Sequence, residues 1–519
     1  MLPDYRNEPF TDFSRPENES AFKAALDFVK ATLGKIYPLV IDGKQIAVTQ
    51  TFPSINPSRP AEVVGQFANG TEDHANQAVE AASKAFETWQ YVPVQERVGY
   101  LLRAAAEMRR RKHQFSAVMV YETGKSWFEA DADTAEAIDF LEYYARQALR
   151  LFDQSDMLTS YPPEQLGLYN TPLGVGAIIP PWNFPNAIPM GLVAAAIVAG
   201  NTIVFKPAEQ SPLIGWWIAD LMWSLGLPKG VLNFLTGPGE IVGARMVTHP
   251  KTRFIAFTGS RDVGLWIYEH AAKMQPGQKW LKRSILEMGG KDAVLVDETA
   301  NLEEAASGIV QSAFGYQGQK CSAGSRAVIV DAVYDQVTNR VVELAKQITV
   351  GAPDESRNNY MGPVIDQDAM KRIMDYVEVG TQEGKLLLGG QPLQTPGNGY
   401  FIPPTIFGDV PWNARIAQEE IFGPVLTIVR AKDFDDLIRV ANSTEYGLTG
   451  ALFSNERDRL ERARREFHVG NLYLNRKCTG ALVGVHPFGG FNMSGTDSKT
   501  GGPDYLLQYT QAKSVAERL

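Results

Sequence analysis

Between residues 174 and 260 the sequence repeats one pattern, in which a short and almost wholly apolar run is followed by a longer segment. The runs cover residues 176–179, 202–205, 231–234 and 254–257. Strands without a polar face are buried on both sides, and a parallel sheet covered by helical crossovers provides that environment. The pattern therefore predicts an α/β fold of the kind that binds nucleotides.

The chain outside this region predicts two further units. A second α/β series follows residue 321, with apolar runs at 327–330, 385–388 and 425–429. The first 150 residues or so are mainly helical, with amphipathic spacing over 72–89, 94–112 and 128–152. An Asp42-Gly43 pair before these helices favours a tight hairpin. A length of 519 residues also exceeds what one hydrophobic core usually serves.

One of the two cysteines, Cys321, lies among small, polar and cationic residues over 318–324. A thiol acts as a nucleophile only as the thiolate, so the neighbouring Lys320 and the amides of a loop entering a helix are expected to lower its pKa. A buried structural thiol is the alternative. The other cysteine, Cys478, is expected to be a packing residue.

A lone carboxylate, Glu287, ends an apolar run 34 residues before Cys321. Burial there would raise its pKa into the range of a general base. A salt bridge to Lys291 is the structural alternative. Together, Cys321 and Glu287 predict nucleophilic catalysis.

Charge and composition exclude several functions. A net charge of -9 argues against a nucleic-acid partner. Two cysteines do not form a disulfide framework, which favours the cytoplasm. The longest apolar stretch, 187–200, is too short to cross a membrane, and the N-terminus lacks the pattern of a signal peptide. The six histidines lack the spacing of metal ligands, so no metal site is expected.

The segments around Glu287 and Cys321 resemble the active-site signatures of the aldehyde dehydrogenase superfamily. Further matching motifs lie at 180–185, 420–424 and 487–490, so the resemblance covers nearly the whole chain. It implies a Rossmann-type NAD-binding domain, an α/β catalytic domain and a small β element for oligomerisation. The corresponding boundaries are 1–159 with 174–286, then 287–490, and finally 160–173 with 491–519. The resemblance also implies NAD as cofactor and a homo-oligomer, either a dimer or an assembly of dimers.

The resemblance assigns catalytic roles to three residues. Cys321 attacks the aldehyde, and Asn183 with the backbone N–H of Cys321 forms the oxyanion hole. Glu287 activates water to release a free carboxylate. Taken alone, Asn183 is also explained as an ordinary turn residue.

Residues 237–243 and 257–264 are the first and second predicted phosphate segments of the NAD site, because each follows a predicted strand where a helix N-terminus can meet phosphate. Lys206 and Glu209 are spaced to reach the adenosine ribose, and the carboxylate favours NAD over NADP; an exposed surface pair is the alternative. Glu420 and Phe422 are assigned to the nicotinamide ribose and ring on resemblance only. The other expected cofactor contacts are Pro180, Trp182, Gly237, Gly239, Thr258, Gly259, Ser260, Val263 and Met288.

Within the superfamily, residues 320–322, 479–481 and 494–496 resemble members that oxidise glutamate γ-semialdehyde, the open-chain form of 1-pyrroline-5-carboxylate, in proline and arginine breakdown. This resemblance implies a small-molecule aldehyde substrate. Its expected contacts are Phe184, Lys320, Ser322, Gly480, Ala481 and Phe488. Another semialdehyde or broad-range aldehyde dehydrogenase remains an alternative, as does a non-catalytic binding or structural protein on the same scaffold.

Overall fold

Two seven-stranded sheets hold most of the strands in the computed structural model, which describes residues 2–152 and 157–519. The described helices are α1 (Pro16–Lys30), α2 (Glu72–Trp89), α3 (Val94–Arg110), α4 (Lys112–Thr123), α5 (Trp127–Leu151), α6 (Ala187–Val198), α7 (Pro212–Ser224), α8 (Ala244–Thr248), α9 (Arg261–Ala272), α10 (Leu302–Phe314), α11 (Tyr334–Ala345), α12 (Gln367–Glu383), α13 (Arg415–Gln418), α14 (Phe434–Ala441) and α15 (Arg457–Glu466). The described strands are β1 (Lys35–Tyr37), β2 (Leu39–Ile41), β3 (Lys44–Ile46), β4 (Thr51–Asn56), β5 (Arg59–Ala68), β6 (Glu164–Pro172), β7 (Val175–Ile179), β8 (Thr202–Phe205), β9 (Leu232–Phe234), β10 (Thr252–Thr258), β11 (Arg283–Glu287), β12 (Ala293–Val296), β13 (Arg326–Val330), β14 (Lys385–Leu388), β15 (Thr405–Gly408), β16 (Val425–Ala431), β17 (Tyr446–Gly447), β18 (Thr449–Phe453), β19 (Asn471–Leu474), β20 (Phe491–Asn492) and β21 (Thr510–Arg518).

The first sheet has the order β11-β10-β7-β8-β9-β2-β3. Its five strands from β7 to β11 pair in parallel, and four of them, β7 to β10, lie at the predicted apolar runs. The chain leaves β7 toward β8 and β9, then returns to place β10 on the other side of β7. Strand order therefore reverses between β7 and β10, and the crevice at the carboxyl ends of these two strands is where such sheets bind ligands.

The second sheet has the order β14-β15-β16-β13-β12-β18-β19. All its pairs are parallel except β14 with β15, which is antiparallel and lies at the edge. The predicted strand at 385–388 is therefore present, but its exposed residues Lys385 and Leu386 place it on the rim rather than in the buried interior of the sheet.

The hairpin predicted at Asp42 and Gly43 is confirmed, with both residues at positive φ. One detail of the helical region differs from expectation. The helix predicted over 94–112 ends at Arg110, because Arg111 adopts φ -106 and ψ 19, and a separate helix α4 begins at Lys112. Helix α6 is buried along its length, which explains its wholly apolar sequence.

Strands β6 and β21 form a separate antiparallel ribbon, with Thr510 opposite Pro172 and Arg518 opposite Glu164. From Gln511 onward every residue of β21 is exposed. The predicted oligomerisation segments thus pair with each other within the chain. The predicted domain boundaries remain predictions, and residues 153–156 of the first domain lie outside the described residues. Among the described helices, none has the length and apolar character needed to cross a bilayer.

Candidate active site

The two sheets meet at a cavity of about 370 Å³ that contains both predicted reactive residues. Glu287 is the last residue of β11 in the first sheet. Cys321 lies in a loop that leaves α10 through a short 3₁₀ turn and enters β13 of the second sheet. The cavity is also lined by all six predicted substrate contacts, which are Phe184, Lys320, Ser322, Gly480, Ala481 and Phe488.

The environment of Cys321 differs from the expected one. Burial raises the pKa of its thiol well above the usual range, and the nearby carboxyl groups of Asp292, Glu420 and Glu287 raise it further. The expectation of a lowered pKa was wrong for two reasons. The loop enters a strand rather than a helix, and the Lys320 ammonium is held by Glu129, with Nζ–O distances of 2.7 and 2.8 Å.

Glu287 has the protonation behaviour that the sequence predicts. Burial raises its pKa to about 8. One carboxylate oxygen accepts a hydrogen bond from the Ser498 hydroxyl at 3.1 Å, whereas the other, Oε2, is buried without a hydrogen-bond partner. Lys291 Nζ is likewise buried without a hydrogen-bond partner, and the salt bridge considered for these two residues does not form among the described side chains.

Asn183 is 4% exposed and lies beside the cysteine loop. Its side-chain amide donates to the carbonyl of Gln319 at 3.0 Å, two residues before Cys321. An amide nitrogen carries two hydrogens, so one donor remains for a second acceptor. This contact explains how a residue after β7 is held near the nucleophile, although Asn183 itself is not among the cavity-lining residues.

The far side of the cavity is formed by a loop over residues 479–483. Gly480 adopts φ +80, a conformation that favours glycine. The Arg476 guanidinium donates to the carbonyl oxygens of Thr479 and Gly480, at 2.8 and 3.3 Å. Neither the Gly480 nor the Ala481 amide donates a hydrogen bond to any described residue, so both are available for an anion.

The predicted NAD contacts converge on the carboxyl ends of β7, β8 and β10. Pro180 and Trp182 follow β7, and Lys206 and Glu209 follow β8. Lys206 is buried, and burial lowers its pKa although Glu209 opposes this. Glu209 accepts from Lys206 Nζ at 3.4 Å and from the Gly239 amide at 2.9 Å. The Lys206–Glu209 pair, for which an exposed surface pair was the alternative, is thus partly buried and hydrogen-bonded to Gly239 of the first predicted phosphate segment. Gly237, in the same segment, has φ +135.

The second predicted phosphate segment starts helix α9. Thr258 ends β10, Gly259 donates to the Glu287 carbonyl at 3.0 Å, and the Ser260 hydroxyl caps the helix by accepting from Val263 N. This places a 12-residue helix N-terminus at the point where strand order reverses.

Met288 connects this helix to the cavity. It lines the cavity and packs against Gly264, where an added Cβ would lie 2.3 Å from the Met288 sulfur. Small size at Gly264 therefore keeps α9 close to the strand that carries Glu287.

Glu420 and Phe422 lie in the segment between α13 and β16. Glu420 accepts from the Gly290 amide at 2.9 Å, and burial raises its pKa to about 7. Phe422 is held at φ +57 with its ring edge-on to Trp182 at 5.5 Å. These groups fit a dinucleotide with free ribose hydroxyls. The carboxylates can accept hydrogen bonds from ribose hydroxyls, the Lys206 ammonium and the N–H groups at the start of α9 can donate, and the Trp182–Phe422 pair offers an aromatic surface.

Sequence reasoning missed several polar residues at this site. Helix α5 lines the cavity with Glu129, Ala132, Glu136 and Asp139. Their spacing of three and four residues was the available signal, but it fits a solvated face equally well. Lys125, just before α5, and Asp133, on α5, form a fully buried ion pair with 3.2 Å between Nζ and Oδ2.

Arg476 and Ser498, near the C-terminal end of the chain, belong to no motif that would have indicated a role at this site. Within the described ranges no cluster of three or more His, Cys, Asp or Glu is arranged to hold a metal ion.

A partly buried thiol, a buried carboxylate and a crevice at the carboxyl ends of β7 and β10 are the features of an NAD(P)-linked oxidoreductase with a covalent step. The sequence model described as the aldehyde dehydrogenase family matches residues 45–515. The chain belongs to the aldehyde dehydrogenase family.

The relatives narrow this family further. The chain is 56% identical to a protein of Geobacillus thermodenitrificans and 55% identical to one of Bacillus subtilis, both named 1-pyrroline-5-carboxylate dehydrogenase and both covered over 100% of each chain. A Thermus 1-pyrroline-5-carboxylate dehydrogenase solved with bound NAD is 50% identical, with a TM-score of 0.98 and 100% of both chains covered. A Staphylococcus aureus betaine aldehyde dehydrogenase in complex with NAD+ is 27% identical with a TM-score of 0.89, over 96% of this chain and 97% of that one.

Proposed function

We propose that this protein catalyses the NAD-dependent oxidation of L-glutamate γ-semialdehyde, the open-chain form of 1-pyrroline-5-carboxylate, to L-glutamate. The observation that carries this proposal is one cavity with Cys321 and Glu287 on one side and the unpaired amides of Gly480 and Ala481 on another. A thiol suits the aldehyde of this substrate, and oriented amides suit its α-carboxylate. The full-length bacterial relatives that carry the name of this activity support the same choice.

The first step is attack of the Cys321 sulfur on the aldehyde carbon. The carbon–oxygen π bond opens as the carbon–sulfur bond forms, and the thiol proton passes to the former carbonyl oxygen, which becomes the hydroxyl of a tetrahedral thiohemiacetal. The free N–H of the Asn183 amide and the Cys321 backbone N–H stabilise the charge that develops on this oxygen. Because the thiol sits in a buried site that disfavours its thiolate, the proton must be removed as the carbon–sulfur bond forms.

The next step oxidises the thiohemiacetal to a thioester on Cys321, and the hydroxyl proton leaves to solvent as the carbonyl group re-forms. NAD+, when bound, supplies the two-electron acceptor for this oxidation. Lys206, Glu209 and the N-terminus of α9 would hold its adenosine ribose and pyrophosphate, and Glu420 would hold the second ribose. Phe422 and Trp182 would position the ring.

Water then cleaves the thioester, and Glu287 takes the proton from that water. The unpartnered Oε2 has a free lone pair for this purpose, while Ser498 holds Oε1. The water oxygen bonds to the carbonyl carbon, the carbon–sulfur bond breaks, and the leaving sulfur takes up the proton that Glu287 accepted, which restores the Cys321 thiol. The remaining proton of the water leaves to solvent as the new carboxyl group ionises. The product is a free carboxylate.

We further propose that the enzyme acts in the cytoplasm as a homo-oligomer, in the breakdown of proline and arginine. The exposed β6–β21 ribbon supports the oligomer, because a two-stranded ribbon leaves strand edges that a second copy can pair with. Sedimentation of the purified protein tests this, since a monomer at micromolar concentration would contradict it.

The activity is tested by following NADH formation with 1-pyrroline-5-carboxylate, succinic semialdehyde and propanal in parallel. We expect the highest kcat/KM with 1-pyrroline-5-carboxylate. Equal values for all three would instead identify a broad-range aldehyde dehydrogenase. No NADH with any of them would favour a binding protein on this scaffold.

A further inference from the structure

A segment near the N-terminus, residues 5–12, forms part of the wall of the substrate cavity. Phe10 lines this cavity, together with Phe128 at the start of helix α5. The two rings meet edge to face, with their centroids 5.8 Å apart, and they are 48% and 54% exposed. Two adjoining apolar rings left half exposed at a cavity are characteristic of a surface that recognises a ligand, unlike single apolar residues scattered over a protein.

The segment is held firmly on both sides of Phe10. Before it, the side-chain amide of Asn7 and the backbone N–H of Glu8 donate to Asp139, at 2.8 and 2.6 Å. After it, Thr11 donates to Asp131 through its backbone N–H at 2.7 Å and through its hydroxyl at 2.6 Å. Both aspartates lie on α5 and are buried, so these charge-assisted bonds fix the backbone that carries Phe10.

The same segment supports the loop that carries the substrate-facing amides. The Tyr5 hydroxyl and the Asn7 amide both donate to the carbonyl of Val483, at 3.1 and 3.0 Å. Val483 itself lines the cavity. Residues 5–12 therefore contact two walls of the cavity at once, although they precede residue 45, where the match to the family begins.

We propose that residues 5–12 are a specificity element of the active site and that Phe10 narrows the opening of the cavity against bulky aldehydes. This inference rests on the proposed function. A ring at the rim rejects a substrate by steric overlap and adds nothing to the binding of a short one, so removing the ring changes discrimination more than rate. The amides and charges that receive a carboxylate lie elsewhere in the cavity and are untouched.

The test compares Phe10→Ala with Phe28→Ala. Phe28 is the same residue type on α1, is also 48% exposed and does not line the substrate cavity. The readout is discrimination between two uncharged aldehydes that differ only in bulk, and it is expressed as kcat/KM with hydrocinnamaldehyde divided by kcat/KM with propanal. One methylene group more or less in an enclosed hydrophobic pocket changes the ratio of kcat/KM between two substrates about ten- to two-hundredfold. Phe10 is only half buried, so we expect a smaller rise in this ratio, of about fivefold.

The ratio should stay unchanged in Phe28→Ala and fall in Phe10→Trp, while kcat/KM for 1-pyrroline-5-carboxylate stays within about threefold in all variants, as expected for substitutions outside the carboxylate contacts. An unchanged ratio in Phe10→Ala, or an equal rise in Phe28→Ala, overturns the inference. An equal loss with every aldehyde also overturns it, because the segment would then only support the fold. If the wild type does not oxidise 1-pyrroline-5-carboxylate, the proposed function fails instead.

Discussion

The proposed reactive end of the cavity, around Cys321 and Glu287, and the proposed substrate end, around Lys320 and Arg476, differ in how their ionisable side chains are paired. At the reactive end, Glu287 Oε2 is buried without a hydrogen-bond partner, and the Cys321 thiol is kept neutral by burial and by nearby carboxyl groups. At the substrate end, Lys320 is paired with Glu129, and Arg476 is bonded to two carbonyl oxygens of its own loop.

This difference separates reactivity from recognition. An unpaired buried group destabilises the folded state, and such groups are kept where their altered pKa serves chemistry. Paired groups at the substrate end instead hold the loop in one shape, so that the Gly480 and Ala481 amides point in fixed directions. Substitutions at the reactive end should therefore affect turnover, and substitutions at the other end should affect discrimination between aldehydes.

The largest expected effect is that of Cys321→Ser. The hydroxyl does not form a comparable nucleophile in this buried site, so NADH formation should be abolished. Binding of NAD, measured by calorimetry, should stay within a few-fold of the wild type. Retention of more than a few per cent of the activity would contradict the role of Cys321.

Glu287→Gln should separate the two halves of the reaction. Oxidation needs no general base for water, so a burst of NADH of about one equivalent per active site should persist in rapid-mixing experiments. The steady rate after the burst should fall on the order of 10²- to 10⁴-fold, because the amide does not accept the proton from water. Loss of the burst would show that Glu287 acts earlier, in removing the proton from Cys321.

At the substrate end, insertion of one glycine after Gly480 should displace the oriented amides without touching Cys321. Losing a charge-assisted carboxylate contact costs about 1.5 to 3 kcal/mol, so kcat/KM with 1-pyrroline-5-carboxylate should fall about ten- to a hundredfold. Propanal has no carboxylate, and its kcat/KM should change far less while circular dichroism shows a folded protein. An equal fall for both substrates would mean that the loop supports the reactive end as well.

The smallest expected effect concerns the pKa of Glu287. Its base form is the ionised form, so the rate of thioester hydrolysis should rise with pH through about 8. Ser498→Ala removes a donor that favours the ionised form, and the rising limb should move up by about one pH unit. At neutral pH this corresponds to a loss of about tenfold.

Two variants check that this shift arises from the hydroxyl of Ser498. Ser498→Thr keeps the hydroxyl and should restore the wild-type profile. Ser494→Ala is the matched control, because this buried hydroxyl accepts from Gly447 N instead of touching Glu287. An equal shift in Ser494→Ala would show that the whole segment, rather than one hydrogen bond, sets the pKa.

Sequence reasoning succeeded where the signal is local. The apolar runs identified the strands β7 to β10, including the one that precedes Lys206, and the Asp42-Gly43 pair identified the hairpin. Motif resemblance then placed Cys321 and Gly480 at one cavity. It failed at the joint between α3 and α4, because helical spacing continues through Arg111 while the backbone does not.

The sequence by itself determined the class of fold and the family, and it predicted Cys321 as nucleophile and Glu287 as base, since these signals lie in residues that are neighbours along one strand or loop. Only the tertiary structure decided the pKa values of these groups and their hydrogen-bond partners. Lys320 meets Glu129 across 191 residues, and Ser498 meets Glu287 across 211. Burial and pairing of this kind set pKa values and shape, and both depend on which distant segments pack together, which no local pattern encodes.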